Sequence, residues 1–235
     1  MRLVLGALVK AVGQLADPAV LRVLAKSVLV TLLAFAVFGV ALYFGLVWAF
    51  AALGWSGGGF AEATMAALVA ILAGWVLFRV VALFVLQLFA DEIVTAVEQR
   101  YYPKAALNAS GQSLRREIAN GARAAGRTLI ANAVALPLVA VLWFTGIGPP
   151  LVFLLVNAFL LGRELTEMAW FRQGGSLSDP HPVPSAMRFA LGAAIAGLML
   201  VPGINLIAPV IGAAAGTHVL HRRAEQVAKR EQADG

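Results

Sequence analysis

Arg79 is the most costly residue in this chain, because it stands alone among apolar neighbours from Ala63 to Ala90. An isolated charge at bilayer mid-depth costs at least ~2.5 kcal/mol even on insertion scales, so such a group faces a cavity, a subunit contact or a partner. It is either an anion station in a pore or a cation paired with helix C-terminal carbonyls, with Glu62 by snorkelling, or with Gln87 and Asn157. Arg163, Glu164 and Glu167 form a second charged constellation. The two glutamates are three apart and share a helix face. They either couple protons or gate a cytoplasmic mouth, or they form an ion-pair ladder with Arg172 or Arg188. A third constellation is the turn Pro202-Gly203-Ile204-Asn205. Gly203 can adopt positive φ, and a helix restarting near Asn205 presents unpaired N–H groups and the positive end of its dipole at membrane depth. Either an anion binds there or Asn205 caps the helix itself. Thr145, Gly146 and Gly148 make the corresponding tip upstream, where Pro149 and Pro150 start the next arm. Two broken-helix tips in corresponding positions point toward a transport site.

These groups need a membrane to position them. The chain has 61% apolar and 13% charged residues, with a mean hydropathy of +0.86, so a water-soluble globule would leave an unusual apolar surface exposed. Ser27–Gly54 and Ala63–Ala90 are apolar runs longer than the roughly 20 residues that span hydrocarbon. Arg2 to Lys26 carries four basic residues and Arg100 to Arg127 carries six, whereas the turn from Gly54 to Phe60 carries none. The positive-inside rule therefore places both ends of this pair in the cytoplasm and the glycine turn outside, with Trp48 and Trp55 in an outer interfacial belt. Lys10, Asp17, Arg22 and Lys26 interrupt the first apolar stretch, so the N-terminus is expected to be retained rather than cleaved. Downstream, Thr128–Phe144 with Ile147–Gly162, and Phe189–Val201 with Ile204–His218, flank the two tips. Such arms reach about 20 to 26 Å, short of a hydrocarbon core of about 30 Å. Their feet carry Arg127, Arg163, Arg188, Arg222 and Arg223 and their tips carry no charge, which predicts hairpins that enter and return on the cytoplasmic side; four full spans are the alternative. Gly192, Ala196, Gly212 and Gly216 recur at helical spacing and permit close helix contact, within one subunit or between several.

The order of Val201-Pro202, Asn205, Pro209 and the Gly212 to Thr217 run resembles the C-terminal signature of the CysZ family, bacterial inner-membrane sulfate permeases related to the etoposide-induced-protein family. Phe89 to Glu98 resembles that family's acidic segment, with Leu88 in place of a proline. Leu160 to Glu167, leading to Arg172 and Gly174, resembles its Gly-x-Glu segment, and Pro180 to Arg188 its loop before the last hairpin. The likeness covers about residues 10 to 223. It implies two long transmembrane helices and two partly inserted hairpins, cytoplasmic termini, ATP-independent uptake of sulfate or a similar oxyanion, and a homo-oligomer. The family's Gly-Leu motif and arginine pair correspond to Gly13 through Arg22. Gly13 and Arg22 match, and the resemblance makes them anion-pathway residues beside Arg79 and Asn205. Leu21 replaces one arginine and Asp17 stands where a basic residue is usual, so a carboxylate would repel an oxyanion there.

Other chemistry is absent. Zero cysteines exclude disulfides, thiolate metal sites and a cysteine nucleophile. No phosphate-binding loop, no Gly-x-Ser-x-Gly elbow and no His-Glu-x-x-His occurs, and the three histidines lack metal-ligand spacing. Neither enzyme activity nor a cofactor is expected. Ser176, Asp179 and His181 read as ordinary loop residues. The net charge of +6 fits membrane topology, and Gly111 to Arg127 reads as an amphipathic helix lying on anionic lipid rather than a nucleic-acid binder. Glu92 and Glu98 are expected to pair with Arg100 and Lys104. His218 and His221, with Arg222 and Arg223, are expected in a headgroup belt. The fold expected is an all-α polytopic membrane protein with a single membrane domain over 1–223 and a frayed polar tail over 224–235. The rival function is a non-transporting membrane organiser that binds lipid through the same hairpins.

Overall fold

The computed structural model describes residues 1–52, 54, 64–65, 67–69, 90–109, 114–176 and 179–234, and every regular element among them is helical. In chain order these are α1 (Arg2–Gly13), α2 (Pro18–Ala52), α3 (90–101), α4 (Pro103–Asn108), α5 (Leu114–Leu142), α6 (Gly148–Arg172), α7 (Ser185–Met199) and α8 (Ala208–Asp234). Short 3-10 turns follow α1 (Gln14–Ala16) and form the tips after α5 (Trp143–Thr145) and α7 (Ile204–Leu206). The chain divides into two compact units, Met1–Val20 with Ala90–Gly235, and Leu21–Phe89. Arg79, Trp55 and most of the second long run lie outside the described residues.

In the Leu21–Phe89 unit, α2 is the first expected span, beginning nine residues earlier than the apolar run. Asp17 is extended (φ −70°, ψ 130°) because a residue before proline is barred from the helical region, and Pro18 opens the helix where its missing N–H is not needed. The stretch Pro18–Ala49 is apolar, and its most apolar 18 residues are only 6% buried. Leu29, Leu33, Val37, Phe44 and Trp48 are all exposed, and a helix that is apolar all round yet uncovered by protein is solvated by lipid. At about 1.5 Å per residue it is long enough to cross a bilayer.

The other unit is built around α6, α7 and α8, which pack against one another and are joined by α1 and α5. Leu191, Ile195, Leu165, Ala169, Ala213, Val219 and Leu220 fill its interior, with Val4, Ala7 and Ala11 of α1 and Ile93, Val94 and Val97 of α3. The small residues act inside the chain. A Cβ on Gly192 would fall on the Ala158 carbonyl and the Gly162 backbone, and one on Gly162 would fall on the Arg188 carbonyl. Gly216 meets the Leu165 carbonyl in the same way. Backbone therefore lies against backbone at these crossings.

The hairpin arms run on past their expected feet. The basic stretch before Thr128 is no separate surface helix: from Leu114 it is the first part of α5, which continues through Pro137 to Leu142. Ala119–Thr145 qualifies by length and hydropathy as a span, and its most apolar 18 residues are 6% buried. Gly203 (φ 82°) adopts the left-handed backbone expected of it at the second tip, Gly146 (φ 69°) does the same at the first, and Pro149 and Pro150 lie in the first turn of α6. At the first tip the Thr145 hydroxyl donates to Leu142 O (2.7 Å) and accepts from Gly148 N–H (2.8 Å). Asn205 is not the cap of α8: it sits inside the 3-10 turn, its N–H donating to Val201 O, and Ile207 precedes the helix. The tail also departs from expectation, because α8 continues as helix to Asp234 rather than fraying.

Candidate functional site

Two polar networks lie in the same unit. The first joins α5, α6, α7 and the loop before α7. On α6, Arg163 and Glu167 are one turn apart, and Arg163 Nε donates to Glu167 Oε1 at 2.5 Å. Arg127, reaching across from α5, donates through Nη2 to the other oxygen at 2.8 Å. Both oxygens of Glu167 are thus occupied. Glu164 shares the face; burial and then the Glu167 charge push its pKa up, against the pull of Arg127. Arg188 is on the first turn of α7, where the helix dipole is already positive. Burial and the charges of Arg163 and Arg127 depress its pKa, opposed by Glu167, yet a guanidinium stays protonated. Its Nε is buried without a hydrogen-bond partner among the described residues. His181 Nδ1 accepts from Val183 N–H at 3.1 Å, so the neutral ring carries its proton on Nε2, which is also buried and unpartnered.

The second network joins α1, α3, α6 and α8. Glu98 of α3 is fully buried, and its carboxylate accepts from Arg172 Nε (3.1 Å), Gln173 Nε2 (3.0 Å) and His221 Nε2 (3.0 Å). Burial works to raise its pKa, but the bonds from His221, Gln173 and Arg172 outweigh that and hold it below the ordinary carboxylate value. One turn before His221 on α8, the fully buried His218 uses both ring nitrogens. Gln14 Nε2 donates to its Nε2 at 2.6 Å, so the proton resides on Nδ1 and is donated to the Tyr102 hydroxyl at 2.8 Å. Burial, then the charges of Lys10, Arg222 and His221, lower its pKa to about 4; the imidazole is neutral at pH 7. Beside it Asp17 accepts from Arg100 Nε (2.8 Å) and more weakly from the Tyr101 hydroxyl (3.4 Å). The carboxylate that would repel an anion is therefore screened by its own arginine.

These contacts redistribute the expected pairs. Arg172 serves Glu98, not Glu167; the partners of Glu167 are Arg163 and Arg127; and Glu98 takes neither Arg100 nor Lys104. His218 and His221 are buried inside the helix cluster rather than at headgroups, because an imidazole that finds partners for its nitrogens can enter a core. Gly13 ends α1, exposed and with open space beside it, and Arg22 is exposed on α2. Arg163 and Glu167 pair as expected, Arg188 stands near them without the carboxylate bond expected of it among the described residues, and Pro202 and Gly203 sit exposed at the second tip and Gly146 at the first. Sequence reasoning missed the role of Arg127. The signal was available, since Arg127 stands at the foot of one arm and Glu167 just below the foot of the next.

An all-helical membrane protein, with charged networks buried where apolar helices end, is the class these features define. The chain belongs to the family described as sulfate transporter CysZ/etoposide-induced protein 2.4, whose match covers residues 7–209. No curated protein and no solved structure matches the chain.

Proposed function

We propose that the protein is a permease that passes sulfate or a similar oxyanion into the bacterial cytoplasm across the inner membrane without ATP hydrolysis. The observation that carries this reading is family membership over 7–209; the arginine-rich networks at the hairpin feet are compatible with it, because a dianion crossing hydrocarbon needs donors and positive potential at each station. In this reading Arg22 and Arg79 stabilise the anion, Gly13, Asn205 and the Pro202 turn supply backbone geometry, and several subunits enclose the path. Both termini face the cytoplasm. The hairpins re-enter: Gly148 and Arg163 of α6 are 15 positions apart, about 22 Å, and Arg188 of α7 and Val201 at the second tip are 13 apart, about 20 Å. With the arginines at headgroup level, neither tip reaches the far side of a core about 30 Å thick.

Influx of radiolabelled sulfate into proteoliposomes tests the reading, with empty vesicles and an Arg22→Ala, Arg79→Ala double variant alongside. Saturable influx lost in the variant is expected. Vesicles containing inserted protein that stay as tight as empty ones, to sulfate and to competing oxyanions, would favour the membrane-organiser reading. Topology is checked separately on a chain without native cysteines. Phe144→Cys should resist membrane-impermeant maleimide from both sides, whereas labelling from the periplasm would show a full span.

A further inference from the structure

The network on α5, α6 and α7 contains more positive charge than its carboxylates take up. Three arginines converge on it against two carboxylates: Glu167 bonds Arg127 and Arg163 through its two oxygens, and burial and the Glu167 charge disfavour the ionised form of Glu164. Arg188 is left with no carboxylate partner among the described residues, and it stands on the first turn of α7, which contains no acidic residue. Its position is fixed by backbone. Gly162 of α6 lies against the Arg188 carbonyl, leaving no room even for a methyl group. Helix α7 therefore cannot move away without breaking the tightest crossing in the unit.

Two buried donors lack acceptors here, Arg188 Nε and His181 Nε2. Buried polar groups are nearly always paired, so each such group needs an explanation. The His181 ring is held by the Val183 N–H on one side and lies 5.6 Å from the Trp170 ring, so its free N–H cannot turn away without losing that bond. Arg188 and Arg163 both act on it electrostatically. Donors without acceptors, in excess positive charge and beside a helix N-terminus, complement a group that has only acceptors and negative charge.

We propose that Arg188 and His181, with Arg163 and Arg127 behind them, form a binding site for a tetrahedral oxyanion of the sulfate class at the cytoplasmic foot of the two hairpins. The site rests on the permease reading for its placement in a pathway, where it is the inner station. The same donors would also suit a lipid-borne phosphate, and the experiment separates the two sources. Arg188 Nε and His181 Nε2 donate to different oxygens of the anion, while Glu167 holds the other two arginines in place without reaching it.

The test is equilibrium binding of radiolabelled sulfate to the full chain, purified in detergent and stripped of lipid, with dioctanoyl phosphatidic acid as competitor. Wild type should bind saturably. Arg188→Gln should weaken binding about tenfold or more and His181→Phe several-fold, because each removes a donor to a charged acceptor. Elution and melting profiles should stay unchanged. Competition by phosphatidic acid assigns the site to a phosphate carried by lipid as well, and its absence assigns it to the free anion; either supports the site. Binding within twofold of wild type in both variants overturns it, as does a wild type that binds neither probe. Should Arg188→Gln fail to fold, His181→Phe carries the test alone, since the phenyl ring preserves the packing on Trp170. Influx distinguishes the two levels. Wild-type influx with normal binding and influx in both variants removes the station and leaves the permease. No influx in wild type, with binding lost in Arg188→Gln, removes the permease and leaves the site.

Discussion

The Glu98 and Glu167 networks use the same residue types and finish with opposite kinds of vacancy. Around Glu98 three donors meet one carboxylate, and His218 spends both nitrogens; the buried atoms left over on these partners and the residues near them in sequence are the acceptors Gln14 Oε1 and Asp17 Oδ1, with the donor Arg223 Nε, whose guanidinium still reaches Gln226 through Nη1. Around Glu167 each carboxylate oxygen holds an arginine, and the buried atoms left open are the donors Arg188 Nε and His181 Nε2. An anion would be repelled by the first vacancy and attracted by the second. Charge buried with its partners complete ties helices together, whereas charge buried with a partner missing marks a place where something binds. Helices α3, α6 and α8 are tied together at Glu98, the turn after α1 is tied to α8 at His218, and α5, α6 and α7 carry the open network.

The harshest way to break this contrast removes both networks together. Gly192→Val should force α7 off α6, because even a Cβ there overlaps the Ala158 carbonyl and the Gly162 backbone. Overpacking into backbone has no rotamer escape, so the expected outcome is little or no monodisperse protein on size exclusion, where Gly197→Val, with open space beside it, should elute normally. Glu98→Ala comes next. It strands Arg172, Gln173 and His221 around a fully buried hole, and breaking a buried pair from one side costs about 3–5 kcal/mol. Glu167→Ala should cost less, since both of its partners, Arg127 and Arg163, are partly exposed and can turn to water, whereas of the partners of Glu98 Arg172 can do so but His221, 9% exposed, cannot. Thermal unfolding in detergent checks the order; equal losses would mean that the two networks hold the fold alike.

Acid should weaken the closed network through His218. Its pKa falls from an ordinary 6.5 to about 4 on folding, so between those values the unfolded chain binds a proton that the native state refuses. Stability is full above pH 6.5, declines as pH falls, and has lost on the order of 3 kcal/mol near pH 4. Glu98 acts in the same direction lower down. Its pKa is depressed from 4.5, so its contribution, present above that value, is lost as pH falls through the lower folded one. Melting temperature against pH should show the upper step in wild type and lose it in His218→Gln, whose amide still offers a donor and an acceptor. A step that persists in that variant belongs to another group.

The membrane class, α2 and both hairpin tips were legible because they depend on local chemistry. Length and hydropathy define a span, and glycines with prolines within a few residues define a tip, where Gly146 and Gly203 are left-handed. Arg163 and Glu167 were legible for the same reason, being one turn apart on one helix. What could not be read was pairing across elements. Glu98 chooses Arg172, 74 residues away, over the nearby Arg100, and His218 finds Gln14 across 204 residues. Nothing in local periodicity encodes such choices, which follow from how α1 and α3 dock on the hairpin feet. The histidines were misplaced because a His beside arginines at the end of an apolar run looks the same whether it meets lipid headgroups or three polar partners.

The smallest effect expected is the most discriminating. Arg188 is buried at Nε, has no carboxylate partner among the described residues, and sits near Arg163 and Arg127 on the first turn of a helix. Its charge is therefore a cost to the fold while no anion is bound. Arg188→Gln should leave the stability of the lipid-stripped protein within about 1 kcal/mol of wild type, or raise it, as read from thermal unfolding. Arg172→Gln is the same substitution on a guanidinium that donates to buried Glu98, and it should cost about 2–3 kcal/mol or more. Adding sulfate sharpens the comparison by mass action, because a ligand stabilises only the state that binds it. Wild type and Arg172→Gln should gain in melting temperature as sulfate rises, and Arg188→Gln should gain little. A large loss in Arg188→Gln without sulfate would mean that Arg188 is paired after all, making the second network as structural as the first.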